Sequence, residues 1–456
     1  MRGLRSTIVL VLLLAGLGAY IYFVTWKKPA GEGTDSKQEK VFASVQSDKI
    51  DELRIKSASG DITTLKKSGE GWQLVDPVKT RADESRVSGI AANLGIVTVK
   101  RMVDENASDL KEYGLSDPKI DVAFKAAGDK DFTHLLIGEK SPTGDLFAKR
   151  GHDTRVFTIF SNEEQSYNAS TFDLRDKTLI KFDRGKVDGI EVIGDGKTVQ
   201  MVKEGGEWKL VRPLKARTDF ALVEEVIGQL QSAQMKSIVA TDPTPADLKK
   251  YGLDKPSTTI DLHMGSARAT LLLGGKAEEG STYVRDASKP AVMTMDGAFA
   301  GDLKKDADRY RRKDVFEFRA FNANRLEVTR PGANGQTVVV FEKVKGQGDS
   351  APEKWRRVSP NPADIDREKM EGLLSKLANM RAASFTESTA KTGLDAPAMT
   401  VLVKFEDGKK EERVPFGKAG DAVYALRPGE PGAAKIEATD FNEQVFHFDI
   451  ETGRPY

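Results

Sequence analysis

Not one of the 456 residues is a cysteine, which excludes thiol catalysis, thiolate-held zinc and disulfide bridges together. Histidine is nearly as scarce. His134, His152, His263 and His447 are scattered, and no HExxH or other paired-ligand spacing offers a metal site. Neither charge sign is in excess: 70 Lys plus Arg stand against 69 Asp plus Glu, so global electrostatics points neither to nucleic acid nor to an acidic substrate. LLIGEK at 135–140 and LLLGGK at 271–276 resemble phosphate loops only superficially. A true one needs a glycine five residues before the Gly-Lys pair and a hydroxyl directly after it. No GxSxG marks a serine nucleophile, and the acidic pairs Glu163–Glu164 and Glu224–Glu225 are adjacent, so neither shares a helix face. No catalytic residue, cofactor-binding residue or metal ligand is nominated, no cofactor is implied, and the chain reads as a non-enzyme.

Long hydrophobic runs are also few, and the one present is N-terminal. TIVLVLLLAGLGAYIYFVTW, residues 7–26, lies between Arg2 and Arg5 on one side and Lys27 and Lys28 on the other. As a helix it spans about 30 Å, the thickness of a bilayer core. It exceeds the core of a cleaved signal peptide and ends in interface-loving aromatics. The expectation is a transmembrane anchor over residues 1–28, contacting membrane through residues 7–26. The flanking charges favour a single-pass inner-membrane placement with the bulk of the chain extracytoplasmic, or periplasmic. Residues 29–40 lack apolar periodicity and read as a flexible tether.

What the remaining chain has in abundance is itself. GWQLVDP at 71–77 returns as EWKLVRP at 207–213 and, more loosely, as KWRRVSP at 354–360. Trp72 and Trp208, Gly138 and Gly274, and Arg175 and Arg311 are each 136 residues apart, and YGLSDP at 113–118 matches YGLDKP at 251–256 with a shift of 138. A near-constant offset over that span is a duplication. TGLDAP at 392–397 continues it into a divergent third copy. The expected units are residues 41–181, 182–317 and 318–456.

Each copy repeats the same signals. Alternating apolar residues (Leu53 and Ile55, Ile190 and Val192, Leu326 and Val328) indicate a half-buried strand. The turn signals SASGD, Asp195-Gly196 and Asn334-Gly335 then predict antiparallel hairpins. The Trp strand follows, its rings expected in the core and closed by Pro77, Pro213 or Pro360. Asp83, Asp219 and Asp366 are placed to cap a helix. Behind them come Val87, Ile90, Ala91 and Leu94, Val223, Val226, Ile227 and Leu230, and Met370, Leu373, Leu374 and Leu377, each an i, i+3, i+4, i+7 stripe. DLKEYGL and DLKKYGL predict a short helix stopped by Gly114 or Gly252 in the left-handed conformation, with Leu115 or Leu253 packing back one turn. Further strands follow, and Ser161 with Glu164 suggests a capping box for a closing helix. The fold class is α+β: tandem units of mainly antiparallel sheet with packed helices. DRYRRK at 308–313, the densest basic cluster, reads as cations near a helix C-terminus.

The repeated WxLVxP, YGLxxP and [LI]GxK together resemble the bacterial domain-of-unknown-function family catalogued as number 4340, over residues 41–450. Its members are often encoded beside ABC-transporter components, so the resemblance implies an interaction or scaffold protein accessory to an ABC-transport or cell-envelope complex. It supplies no catalytic residues. Two other readings stay open: a glycan- or peptidoglycan-binding module, which exposed Trp72 and Trp208 would favour, and a hydrolase with one active copy, which needs His134 or His263 gathered with carboxylates and a serine.

Overall fold

A computed structural model describes residues 39–302, 306–332, 335–345 and 353–437. These fall into two compact units, one ending at Lys177 and one beginning at Thr178. The anchor and most of the tether read from the sequence lie outside the described residues. The inner-membrane placement is corrected, because no helix among the described residues is long and apolar enough to cross a membrane.

In the first unit the chain forms β1 (Ile50–Lys56), β2 (Ile62–Ser68), β3 (Gly71–Asp76) and β4 (Thr80–Arg81), then helix α1 (Glu84–Leu94). β5 (Arg101–Asp104), β6 (Ile120–Ala126), β7 (Thr133–Lys140), β8 (Leu146–Arg150) and β9 (Val156–Ile159) follow. All nine join in one antiparallel sheet of order β4-β3-β2-β1-β6-β7-β8-β9-β5. Both halves are meanders, as the hairpin signals predicted, and α1 carries the chain from one edge strand to the other. The α1 stripe packs in one core with Leu53, Trp72, Ile137 and Phe157, residues from both halves of the sheet. The sheet therefore curls around the helix. Each large side chain buried this way contributes roughly 1.5–3 kcal/mol.

The second unit contains two more nine-stranded sheets of the same order, built around helices Phe220–Ser232 and Arg367–Ala378. The three predicted stripes are all buried. The three aspartates cap as expected: Asp83 accepts from the Arg86 N–H at 2.9 Å, Asp219 from Ala221 at 3.0 Å and Asp366 from Lys369 at 3.0 Å. Asp195 and Gly196 both have positive φ, 51° and 73°, the geometry an Asp-Gly hairpin turn requires. Sheet outweighs helix more than an α+β reading suggests, with one helix of 11 to 13 residues packed in each copy.

Two local expectations change. Ser161 and Glu164 form no capping box: the helix is Glu163–Tyr167 with Asn162 at its N-cap, and no side chain caps it. The segment before Gly114 is a turn rather than a helix, whereas its counterpart Pro245–Lys250 is helical. Thr244 and Pro245 make the difference: Thr244 forms a capping box with Asp247 and Pro245 occupies the first turn.

The YGL and [LI]GxK motifs prove to be two sides of one contact. Gly114, Gly252 and Gly393 all take positive φ, 67°, 70° and 72°, and the Leu115 and Leu253 N–H groups donate back to the Leu110 and Leu248 carbonyls. The turn then lies directly on the end of the GxK strand. The Tyr113 carbonyl accepts from the Glu139 N–H at 3.0 Å, and the Tyr251 carbonyl from Gly275 at 2.8 Å. A Cβ on Gly138, Gly274 or Gly417 would stand only 2.2, 2.3 or 2.4 Å from the carbonyl oxygen of Tyr113, Tyr251 or Thr392. Glycine is required there by backbone proximity, and the Gly-Lys pairs have a structural reason with no phosphate involved.

Candidate functional site

Within the second unit, the end of the second copy meets the third around a group of arginines. The junction is set by short backbone pairings: Arg311 bridges Thr218 of its own copy, and three residues later Asp314 bridges Arg381 of the next. DRYRRK thus lies at a seam, and Arg311 points inward. Its side chain is 2% exposed, as is that of Arg427, and that of Glu430 is 4% exposed.

Glu430 is the shared acceptor. It receives the Arg217 Nε–H at 2.7 Å, an Arg311 guanidinium N–H at 3.3 Å and an Arg427 N–H. Arg311 and Arg427 both stack on the Phe385 ring, at 3.8 and 4.9 Å from its centroid. Arg427 also donates to the Asp314 carbonyl at 3.0 Å. Burial first, then the neighbouring Arg217 and Arg311 charges, lower the Arg427 pKa to about 9. The desolvated centre of the seam is therefore positive, with three guanidiniums around one buried carboxylate.

This centre backs a groove of about 590 Å³, within the roughly 300–1,000 Å³ usual for ligand sites. One wall comes from the Trp strand Glu207–Arg212 and the start of the helix at Phe220, the other from Pro428, Gly429 and Glu430, with Arg312 and Glu317 between. Phe220 is 52% exposed. Arg217 spans the two walls, pairing with Glu317 at 2.5 Å as well as Glu430. Arg312 pairs with Asp314 at 2.8 Å and Lys209 with Glu204 at 2.8 Å. Lys215 lies on the exposed rim with no carboxylate within ion-pair distance among the described residues. Such a site can bind and orient a ligand. Nothing in it activates a nucleophile.

The residues considered from the sequence are placed as follows. Trp72, Trp208 and Trp355 are each 3% exposed, and the Trp208 indole N–H donates to Glu224 at 3.1 Å, so none offers a free face for a sugar. Burial would raise the Glu224 carboxyl, but bonds from Trp208 and Arg184 hold it below the usual range. Pro77, Pro213 and Pro360 each follow the last residue of the Trp strand through a cis peptide bond. His134 bonds Asp121 through Nδ1 at 2.9 Å and lines a 330 Å³ depression with His152 and Arg150. Among the described residues no serine hydroxyl bonds to it. The Nε2 of His263 has no hydrogen-bond partner, and His447 lies outside the described residues. Among the described residues no group of three His, Asp or Glu could hold a metal. Arg217, Phe385, Arg427 and Glu430 escaped the sequence reading. The one available signal was Arg311 itself, repeated from Arg175 at the constant offset.

A family model described as Domain of unknown function (DUF4340) matches the chain three times, at residues 72–219, 208–354 and 355–448. Each match begins at the Trp of the repeated phrase, so the family's unit starts at the third strand of the first meander rather than at the first strand of the sheet. No curated protein and no solved structure matches the chain.

Proposed function

The chain belongs to the DUF4340 family, three copies in tandem, and from that premise we propose that it is an interaction scaffold whose groove at the seam of copies two and three receives a protein partner. The observation supporting this is the groove itself: an exposed aromatic, Phe220, and an unpaired rim cation, Lys215, stand over a rigid ion-paired floor. Aromatic residues beside a polar rim are what binding surfaces enrich, and a floor locked by Glu430 needs little ordering on association. Components of ABC transporters, which the family resemblance implies, are the first baits to try.

The test is a photo-crosslinking side chain installed at Phe220 in the full chain, in cells that produce it naturally. A discrete adduct that Lys215→Glu weakens, while a crosslinker at Ile193, exposed and outside the groove lining, gives none, supports the reading. Equal yields from both positions, or none from Phe220, overturn it.

A further inference from the structure

We propose that the ligand of this groove is an acidic peptide segment of the partner, with carboxylates directed at Arg217, Arg312 and Lys215 and an apolar side chain on Phe220. The inference rests on the scaffold reading and adds the partner's chemistry.

The charges decide it once they are sorted by solvent access. The lining as a whole is balanced: Lys209, Lys215, Arg217 and Arg312 against Glu204, Glu207, Glu317 and Glu430. Exposed charges are screened by water, however, and desolvated ones are not. Glu204 and Glu317 are about half exposed or more. The groups held away from water are Arg311, Arg427 and Glu430, with Arg217 and Asp314 less completely so. The two fully desolvated cations, Arg311 and Arg427, outnumber the one fully desolvated anion, Glu430, so the innermost layer is positive. The lowered Arg427 pKa, caused in part by Arg217 and Arg311, reports the same field.

Donors are also left over. The Nε–H groups of Arg311 and Arg427 have no hydrogen-bond partner, so these guanidiniums are not saturated by Glu430. They lie behind the lining and raise the potential that Arg217 and Arg312 present to the groove. An incoming carboxylate gains Arg217 by displacing the half-exposed Glu317 from its guanidinium, whose fork suits a planar carboxylate.

Volume favours a peptide over a lone anion. A single carboxylate or phosphate would occupy a small fraction of 590 Å³ and has no apolar part to cover Phe220 while it engages Arg312. A segment of a few residues can do both, its apolar side chain covering the part of the Phe220 ring left exposed beside Lys203.

The probes are three short fluorescein-labelled peptides of equal length with a central Phe, flanked by Glu and Asp, by Lys, or by Ser and Gly, each titrated against the full chain by fluorescence anisotropy. The acidic peptide should bind at least about tenfold tighter than the Lys peptide and weaken as salt rises, as expected for electrostatic complementarity. Lys215→Glu should weaken it by about fivefold to tenfold, and Phe220→Ala should weaken the acidic and neutral peptides alike. Both side chains are exposed, so hydrogen exchange identical to the parent's will show that the fold is intact. Equal binding of all three peptides, or none of the acidic one, overturns the inference. If the Phe220 crosslink nonetheless captures a partner, the scaffold reading stands and only the acidic chemistry fails. Displacement of the acidic peptide by inorganic phosphate at equal concentration would show a simple anion site and overturn the peptide assignment.

Discussion

Replacing Glu430 by Gln removes one charge and almost no volume from the seam. In the parent chain that carboxylate accepts from Arg217 at 2.7 Å, from Arg311 at 3.3 Å and from Arg427. Arg311 and Arg427 are both 2% exposed, so neither can recover its hydration without opening the seam. Breaking a buried ion pair from one side costs about 3–5 kcal/mol, because the remaining charge is left uncompensated. Gln keeps an acceptor oxygen, which places Glu430→Gln near the low end, about 3 kcal/mol, or more than a hundredfold in the folding equilibrium. Removing one of the stranded cations should return part of the loss. Arg427→Met in the Gln background is expected to be about 1–2 kcal/mol more stable than the sum of the single changes, a coupling a double-mutant cycle measures. Hydrogen exchange at increasing urea, read peptide by peptide, is the assay. It separates the unit containing the seam from residues 39–177, which serve as an internal control. A loss below about 1 kcal/mol, or an equal loss in the control unit, would refute the claim that a desolvated charge cluster holds the seam.

Gly274→Ala places a methyl carbon 2.3 Å from the Tyr251 carbonyl oxygen and should cost about 1–3 kcal/mol of overpacking; Gly372→Ala, in an exposed helical position with nothing within 4 Å, should be neutral or stabilising, and equal urea midpoints for the two would contradict the contact. Glu412 supplies a pH dependence. Burial raises its carboxyl above 4.5, with the Glu317 carboxylate adding to this and the N–H groups of Glu317 and Phe318 opposing it. The folded chain thus holds this proton more tightly than the unfolded chain, so the stabilising contribution is fully present below pH 4.5 and is lost as pH rises through the folded pKa. Glu412→Gln should flatten the stability profile above pH 4.5, measured as urea midpoints at stepped pH, and an unchanged slope would show that Glu412 is not the titrating group.

Much of the fold was legible because it depends on near neighbours in the chain. Asp83 and its stripe of Val87, Ile90, Ala91 and Leu94 specify the cap and the eleven-residue helix behind it, and period and cap agree. Asp195-Gly196 sets its hairpin through two backbone angles. The Ser161–Glu164 box failed although its spacing was right, since the chain entered that helix through Asn162. A local motif states what can cap and leaves the entry path open. The Gly138 motif was read correctly as a strand end and Gly114 as a left-handed stop, though the expected helix before it is a turn, and that the two motifs touch could not be seen. Their contact joins segments 25 residues apart whose meeting is fixed by sheet register.

The candidate site was the least legible part. Arg217, Arg311, Phe385 and Glu430 are spread over more than 200 residues and converge only because two copies pack side by side. A sequence pattern carries neither distance nor desolvation, so DRYRRK read as cations near a helix C-terminus although its Arg311 is among the most buried charges described.

Sequence alone determined the triplication, the buried tryptophans, the capped helices and the glycine stops. These follow from periodicity, turn chemistry and backbone sterics, which act over a few residues. The tertiary structure decided that nine strands join into one curled sheet per copy, that the repeated Gly-Lys pairs abut a turn, and that a net-positive arginine layer underlies a groove. Those features depend on which surfaces lose water together, and that is a property of the packed chain.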